Sequence, residues 1–173
     1  MATKNLVLIG FMGAGKTSVA KELSSLLTFP VTDTDILIET QEKQSIADIF
    51  KSHGEAYFRQ CELGLLPQLQ KLDRTIIATG GGFPIQTAIA PKLPSLGCCI
   101  YLETSFETCL SRIHSNAIRP LLTEDLNSLE RLYQDREPFY QDLADACVST
   151  ENLSVQDIAK TCYSEYTKCI DKP

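Results

Sequence analysis

A chain of 173 residues, 43% of them apolar, is long enough to bury a substantial core without disulfides or a structural metal. Its net charge of −6 leaves no basic cluster able to neutralise a run of phosphates, which argues against a nucleic-acid surface; an anionic ligand must be met by a few placed arginines. Seven cysteines, at 61, 98, 99, 109, 147, 162 and 169, show neither a C-x-x-C pair nor a histidine spacing suited to zinc, and they read as reduced thiols.

Asn5 to Ile9 is a short apolar run that reads as a buried strand. The next residues, Gly10-Phe11-Met12-Gly13-Ala14-Gly15-Lys16-Thr17, spell a phosphate-binding P-loop, after which Val19, Ala20, Leu23, Leu26 and Leu27 recur at a helical period. Strand, glycine loop and helix is the order such a loop requires, because its backbone N–H groups wrap the phosphates and the helix N-terminus faces them with partial positive charge. Gly13, Ala14, Gly15, Lys16, Thr17 and Ser18 are therefore the expected nucleotide contacts. Lys16 adds charge beside the phosphates, and the Thr17 hydroxyl is placed to ligate Mg²⁺.

Thr28 to Val31 predicts a second strand running into Asp33-Thr34-Asp35, followed by a helical segment to about Glu42. In a continuing extended segment Asp33 and Asp35 face the same side, where they could hold the hydration shell of Mg²⁺ and accept a hydroxyl proton from an acceptor. The plain alternative is an Asp pair capping the next helix. Ser45 to Asp48 reads as a capping box opening a helix that Gly54 closes, and Glu55 to Leu72 as another helix. A third strand, Thr75 to Thr79, ends on Gly80-Gly81-Gly82, whose N–H groups no side chain obstructs.

Cys98 to Leu102 predicts a fourth strand and Ser105 to Ile113 a helix, with a loop over 114–124 interrupted by Pro120. Asp125 to Asp135 reads as helix, which Pro138 does not continue freely; Cys147 to Ser149 reads as a last short strand, and Ser154 caps a terminal helix to about Ile170. This alternation implies an α/β fold with a parallel sheet covered on both faces and ligands beyond the strands' carboxyl ends. Arg59 and Arg136 could each fork onto a carboxylate, and Arg112 and Arg119 bracket the loop that could close over bound nucleotide. No apolar run reaches the length of a membrane span, and the first strand begins by about residue 5; a soluble, cytoplasmic protein is expected.

Taken together, these pieces resemble the shikimate kinase family over nearly the whole chain. The resemblance is carried by Gly10 to Thr17, Asp33-Thr34-Asp35, Ile46 to Phe50, Phe58-Arg59-Gln60-Cys61-Glu62, Gly80 to Gly82, Arg119-Pro120-Leu121-Leu122, and Arg136 with Tyr140. It implies one P-loop NTPase domain over 1–173, nucleoside-monophosphate-kinase-like, with a five-stranded parallel sheet, a shikimate-binding region at about 33–62 and a mobile lid at about 113–124. It also implies the reaction: ATP plus shikimate gives ADP plus shikimate 3-phosphate, toward chorismate and the aromatic amino acids.

By matching position, the resemblance puts Asp35, Arg59, Gly81, Gly82 and Arg136 on shikimate, with both arginines on its carboxylate and Asp35 on its ring hydroxyls. Phe50 and Phe58 would form the apolar wall, with Glu62 bracing nearby groups. Lys16, Asp35 and Arg119 become the catalytic residues, Thr17 and Asp33 the metal residues for one Mg²⁺, and Arg112 lies against adenine. The partners implied are shikimate and ATP, with neither nucleic acid nor membrane, in a monomer. Two rival readings are a gluconate-type sugar-acid kinase, which leaves Phe58-Arg59 and the triple glycine unexplained, and a noncatalytic nucleotide-binding module. The chain departs from the family pattern in a lid without glycine and in the turn Ser149-Thr150-Glu151-Asn152, which lacks the Asp-Thr many relatives place beside adenine.

Overall fold

Leu6–Ile9 form β1, and all four residues are buried, as a strand needs when both faces of its sheet are covered. A computed structural model describes residues 4–115 and 126–171. β1 is the middle of a five-stranded sheet with β2 (Val31–Asp33), β3 (Ile76–Ala78), β4 (Cys98–Glu103) and β5 (Ala146–Ser149), in the order β2-β3-β1-β4-β5. Every pairing is parallel; Leu8 of β1 sits opposite Ala78 on one side and Ile100 on the other. The connecting helices are α1 (Lys16–Leu27), α2 (Thr34–Glu42), α3 (Ile46–Gly64), α4 (Leu66–Leu69), α5 (Phe106–Ser115), α6 (Leu126–Leu143) and α7 (Val155–Ile170).

Behind the sheet's amino edge, buried Asn5 holds three segments at once: its amide donates to the carbonyls of Leu72 and Leu96, and its side-chain oxygen accepts from Thr75 N–H. A fully satisfied buried amide costs little and fixes register. At the carboxyl edge, Tyr133 packs edge-on against Phe11 at 5.3 Å and donates to Thr104 O, which pins α6 beside the P-loop. The chain thus delivers the glycine loops and the ends of β1, β2 and β3 to one edge.

Several boundaries differ from the sequence expectation, each for a local reason. The second strand is Val31–Asp33 rather than Thr28–Val31, because Thr28 takes left-handed backbone angles (φ 56°) to end α1, leaving the strand to begin after Pro30. Glu55 to Leu72 is not one helix: α3 ends at Gly64, and the chain restarts in α4 with a proline in its first turn. Gly54 does interrupt α3, at φ 80° and ψ 176°. Pro138 does not stop α6, which runs on to Leu143. The lost hydrogen bond is outweighed by packing on either side of it, where Tyr133 and Tyr140 are buried and both donate to backbone carbonyls.

Candidate active site

The P-loop works because side chains are missing where the backbone must close. Gly13 lies at φ 82°, and a Cβ there would come within 2.6 Å of the Cys109 carbonyl oxygen, so the loop is pressed against α5. Gly15, at φ 94°, is the residue before α1, and neither a capping side chain nor an acidic residue occupies that helix's first turn. The helix N-terminus therefore keeps its partial positive charge for an anion. Lys16 is mostly buried, its ammonium donating to Gly10 O at 2.7 Å and Phe11 O at 2.8 Å, which holds the cation at the mouth of the loop.

Asp33 and Asp35 straddle a strand-to-helix junction and do not share an extended segment. Asp33 caps α2, its Oδ1 accepting from the N–H groups of Asp35 and Ile36, while its Oδ2 accepts the Thr17 hydroxyl at 3.0 Å. Capping and a link to the P-loop are thus served by one carboxylate. Asp35, in the first turn of that helix, folds over Gly80, where a Cβ would collide with its Oδ1. Gly80 is held there by a bond the sequence did not suggest: its N–H donates to Oγ1 of Thr34, which is fully buried.

The two neighbouring glycines each support an arginine. A Cβ on Gly82 would collide with the Arg59 guanidinium, and Arg136 Nη1 lies 3.7 Å from where a Gly81 Cβ would stand. Arg136 comes from α6, whose Tyr140, one turn on, donates to Gly81 O at 2.7 Å and fixes the helix against the glycine run. Arg59 is braced by Glu55 (2.8 Å) and by Glu62 (2.7 Å), and its guanidinium lies 5.5 Å from the Phe58 ring centre. Burial alone pulls the Arg59 pKa down, but Glu62 and Glu55 outweigh it and hold the pKa above its ordinary value.

Glu62 is fully buried and also accepts from Gln86 at 2.5 Å. Burial raises its pKa to about 7 although Arg59 pulls the other way; nearby Asp35 adds to the rise, and Arg136 opposes it. Two buried polar atoms in this cluster, Glu62 Oε1 and Arg136 Nε, have no hydrogen-bond partner among the described residues.

Two hollows of about 350 Å³ each open at this edge, within the range of small-molecule sites. One is lined by Glu55, Arg59, Gly82, Ile85, Gln86 and Arg136; the other by Gly13 to Val19, Asp33, Asp35, Gly80, Gly81 and Arg112. They adjoin across Gly81 and Gly82. Arg112 Nη1 approaches Gly13 O and Ala14 O at 3.4 Å, beside an apolar wall of Ile113, Leu153, Val155 and Ile158.

A shikimate kinase family model matches residues 12–167. The chain belongs to the shikimate kinase family. It is 37% identical to a shikimate kinase of Caldanaerobacter subterraneus subsp. tengcongensis over 95% of this chain and 97% of the relative. Its fold superposes on a shikimate kinase from Acinetobacter baumannii, solved in complex with shikimate, with a TM-score of 0.91 at 32% identity, covering 98% of this chain and 96% of that one. A gluconokinase from Sinorhizobium meliloti shares the fold alone, with a TM-score of 0.58 at 13% identity.

Of the residues that shikimate kinase membership singles out, the structure gathers Lys16, Thr17, Asp33 and Asp35 around one hollow and Arg59 and Arg136 around its neighbour. Phe50 and Phe58 line neither; their rings pack together at 4.9 Å, with Phe58 buried behind Arg59. Arg119, and the expected lid from residue 116 onward, lie outside the described residues. Glu151 occupies the turn that departs from the family pattern, and its carboxylate accepts from Ser105 N–H and the Thr108 hydroxyl, tying that turn to α5 rather than facing a ligand.

Glu55, Gln86 and the apolar residues beside Arg112 were not singled out from sequence. Only Glu55 carried a signal, its i,i+4 spacing to Arg59.

Proposed function

We propose that this chain transfers the γ-phosphoryl group of ATP to the 3-hydroxyl of shikimate, giving ADP and shikimate 3-phosphate. The observation that carries the reading is the shared wall: Gly80 to Gly82 separate a two-arginine hollow from the P-loop hollow, with Asp35 on the glycine side of the latter. A small hydroxylated carboxylate held by Arg59 and Arg136 has its ring directed toward Asp35 and the mouth of the P-loop.

Phosphoryl transfer asks a protein mainly for positioning and for charge matched to the equatorial oxygens. The P-loop amides and Lys16 supply that charge, and Asp35 orients the acceptor hydroxyl and takes its proton late in the transfer. Thr17 Oγ1 and Asp33 Oδ2, 3.0 Å apart, are hard oxygen donors of the kind Mg²⁺ selects, and they would hold one ion, Thr17 directly and Asp33 through water. When bound, such an ion neutralises charge on the β- and γ-phosphates. A cytoplasmic, single-domain enzyme fits a chain in which every cysteine is a free thiol and no described helix is long and apolar enough to cross a membrane.

A coupled assay of ADP release from Mg-ATP tests the reading. Shikimate is expected to exceed gluconate by at least about a hundredfold in kcat/KM, since a site built to pair specific polar groups rejects a mismatched acceptor strongly. Gluconate as the better acceptor would overturn it.

The glycine wall gives a sharper test. Gly82→Ala displaces the far end of Arg59 and with it the Glu62 pairing, so the KM for shikimate should rise about tenfold or more, the worth of one charge-assisted hydrogen bond. An unchanged KM would remove Arg59 from the carboxylate site.

Glu62 adds a pH dependence. As pH falls through about 7 this carboxylate takes up a proton, Arg59 loses a neutralising neighbour, and an anionic acceptor should bind more tightly. The KM for shikimate is expected to fall over that interval, and Glu62→Gln should flatten the profile. The same raised pKa makes folding stability drop as pH rises from the ordinary carboxyl range to about 7, because the unfolded chain releases this proton first. Identical KM profiles in both proteins would contradict the assignment.

A further inference from the structure

Far from the P-loop, the fold builds a cluster that no spacing in the sequence announces. Cys98 opens β4, Asp145 immediately precedes β5, and Cys169 lies in the last turn of α7, and one ligand atom from each lies within 4.8 Å of the other two. These are the amino ends of parallel strands, the edge opposite the P-loop.

The carboxylate is held in place by backbone. Asp145 Oδ2 accepts the Cys99 N–H at 2.8 Å, and the Asp145 N–H donates to Cys99 O at 2.8 Å, so the side chain is fixed beside β4 with its second oxygen uncommitted among the described residues. Carboxylates that ligate metals are commonly oriented by an outer hydrogen bond of this kind. Cys98 is buried, Cys169 half-buried and Asp145 exposed, which gives a graded approach from solvent.

We propose that Cys98, Cys169 and Asp145 form a binding site for a thiophilic divalent cation of the Zn²⁺ class. Two thiolates and one carboxylate are a donor set for tetrahedral Zn²⁺, with water completing the fourth position from the exposed side. With Zn–S near 2.3 Å, tetrahedral sulfurs stand about 3.8 Å apart, so the observed spread needs only a small contraction. On binding, the two thiol protons pass to solvent. The ion would tie the end of α7 to β4 and β5, the strands on which that helix packs, and leave the kinase site untouched. A Cys98–Cys169 disulfide would use the same sulfurs but gives no account of the tethered carboxylate.

Co²⁺ added to the full chain, kept reduced with a phosphine, is the test. A thiolate-to-cobalt charge-transfer band saturating at one equivalent is expected, lost in Cys98→Ser and in Cys169→Ser, weakened at least about tenfold in affinity in Asp145→Asn, and intact in Cys61→Ser. Zn²⁺ in large excess over its Kd should raise Tm by about 5–10 °C in the parent and in Cys61→Ser, but not in Cys169→Ser. Absence of the band in the reduced parent, its survival in either serine variant of the cluster, or its loss in Cys61→Ser would overturn the proposal.

Discussion

Replacing Asp35 by Asn is expected to lower turnover by about 10²–10³-fold while the KM for ATP stays within about twofold. The substitution is isosteric, so it keeps the contact over Gly80 and removes only the charge. An amide nitrogen placed where the acceptor hydroxyl needs an acceptor turns the hydroxyl away from the phosphorus, and no carboxylate remains to receive its proton. ATP binding is expected to survive because the contacts proposed for it are the loop amides, Lys16 and Thr17, which line the same hollow but keep their own chemistry. Residual turnover comes from positioning and from the Lys16 charge, which is why the loss is not complete. Turnover within a few-fold of the parent would remove Asp35 from the reaction.

Replacing Arg136 by Lys should act on the other half of the site, raising the KM for shikimate by about 10- to 100-fold with a smaller loss in kcat. A planar fork can meet both oxygens of a carboxylate, whereas an ammonium presents one point of charge. The buried Arg136 Nε already lacks a hydrogen-bond partner among the described residues, so this donor contributes nothing to the fold until a ligand satisfies it. Shikimate should therefore raise the melting temperature of the parent more than that of Arg136→Lys. An unchanged KM would show that the carboxylate is held elsewhere.

The P-loop, the strand alternation and the glycine run were legible because each rests on local chemistry: a glycine needs no partner to permit φ 82°, and a buried strand is written as an apolar run. Misreadings fell where tertiary contacts overrode a local rule. Pro138 marks a helix end in isolation, yet Tyr133 and Tyr140 anchor α6 on both sides of it. Asp33 and Asp35 alternate in sequence, but a helix begins between them, so one caps while the other turns toward Gly80. Phe50 and Phe58, expected as a pocket wall, pack ring on ring at 4.9 Å, and the Arg59 guanidinium lies over the Phe58 ring. Gln86 on Glu62 and Thr34 on Gly80 join segments far apart in the chain, and no periodicity records such pairs.

The central claim is geometric: the arginine pair fixes shikimate so that one particular hydroxyl meets the γ-phosphorus. The most direct check is NMR of the phosphorylated product, reading which ring proton couples to phosphorus. Coupling at the C3 proton alone is the predicted result; phosphate on a different hydroxyl, or a mixture of positions, would contradict the arrangement of Arg59, Arg136 and Asp35 on which the account is built.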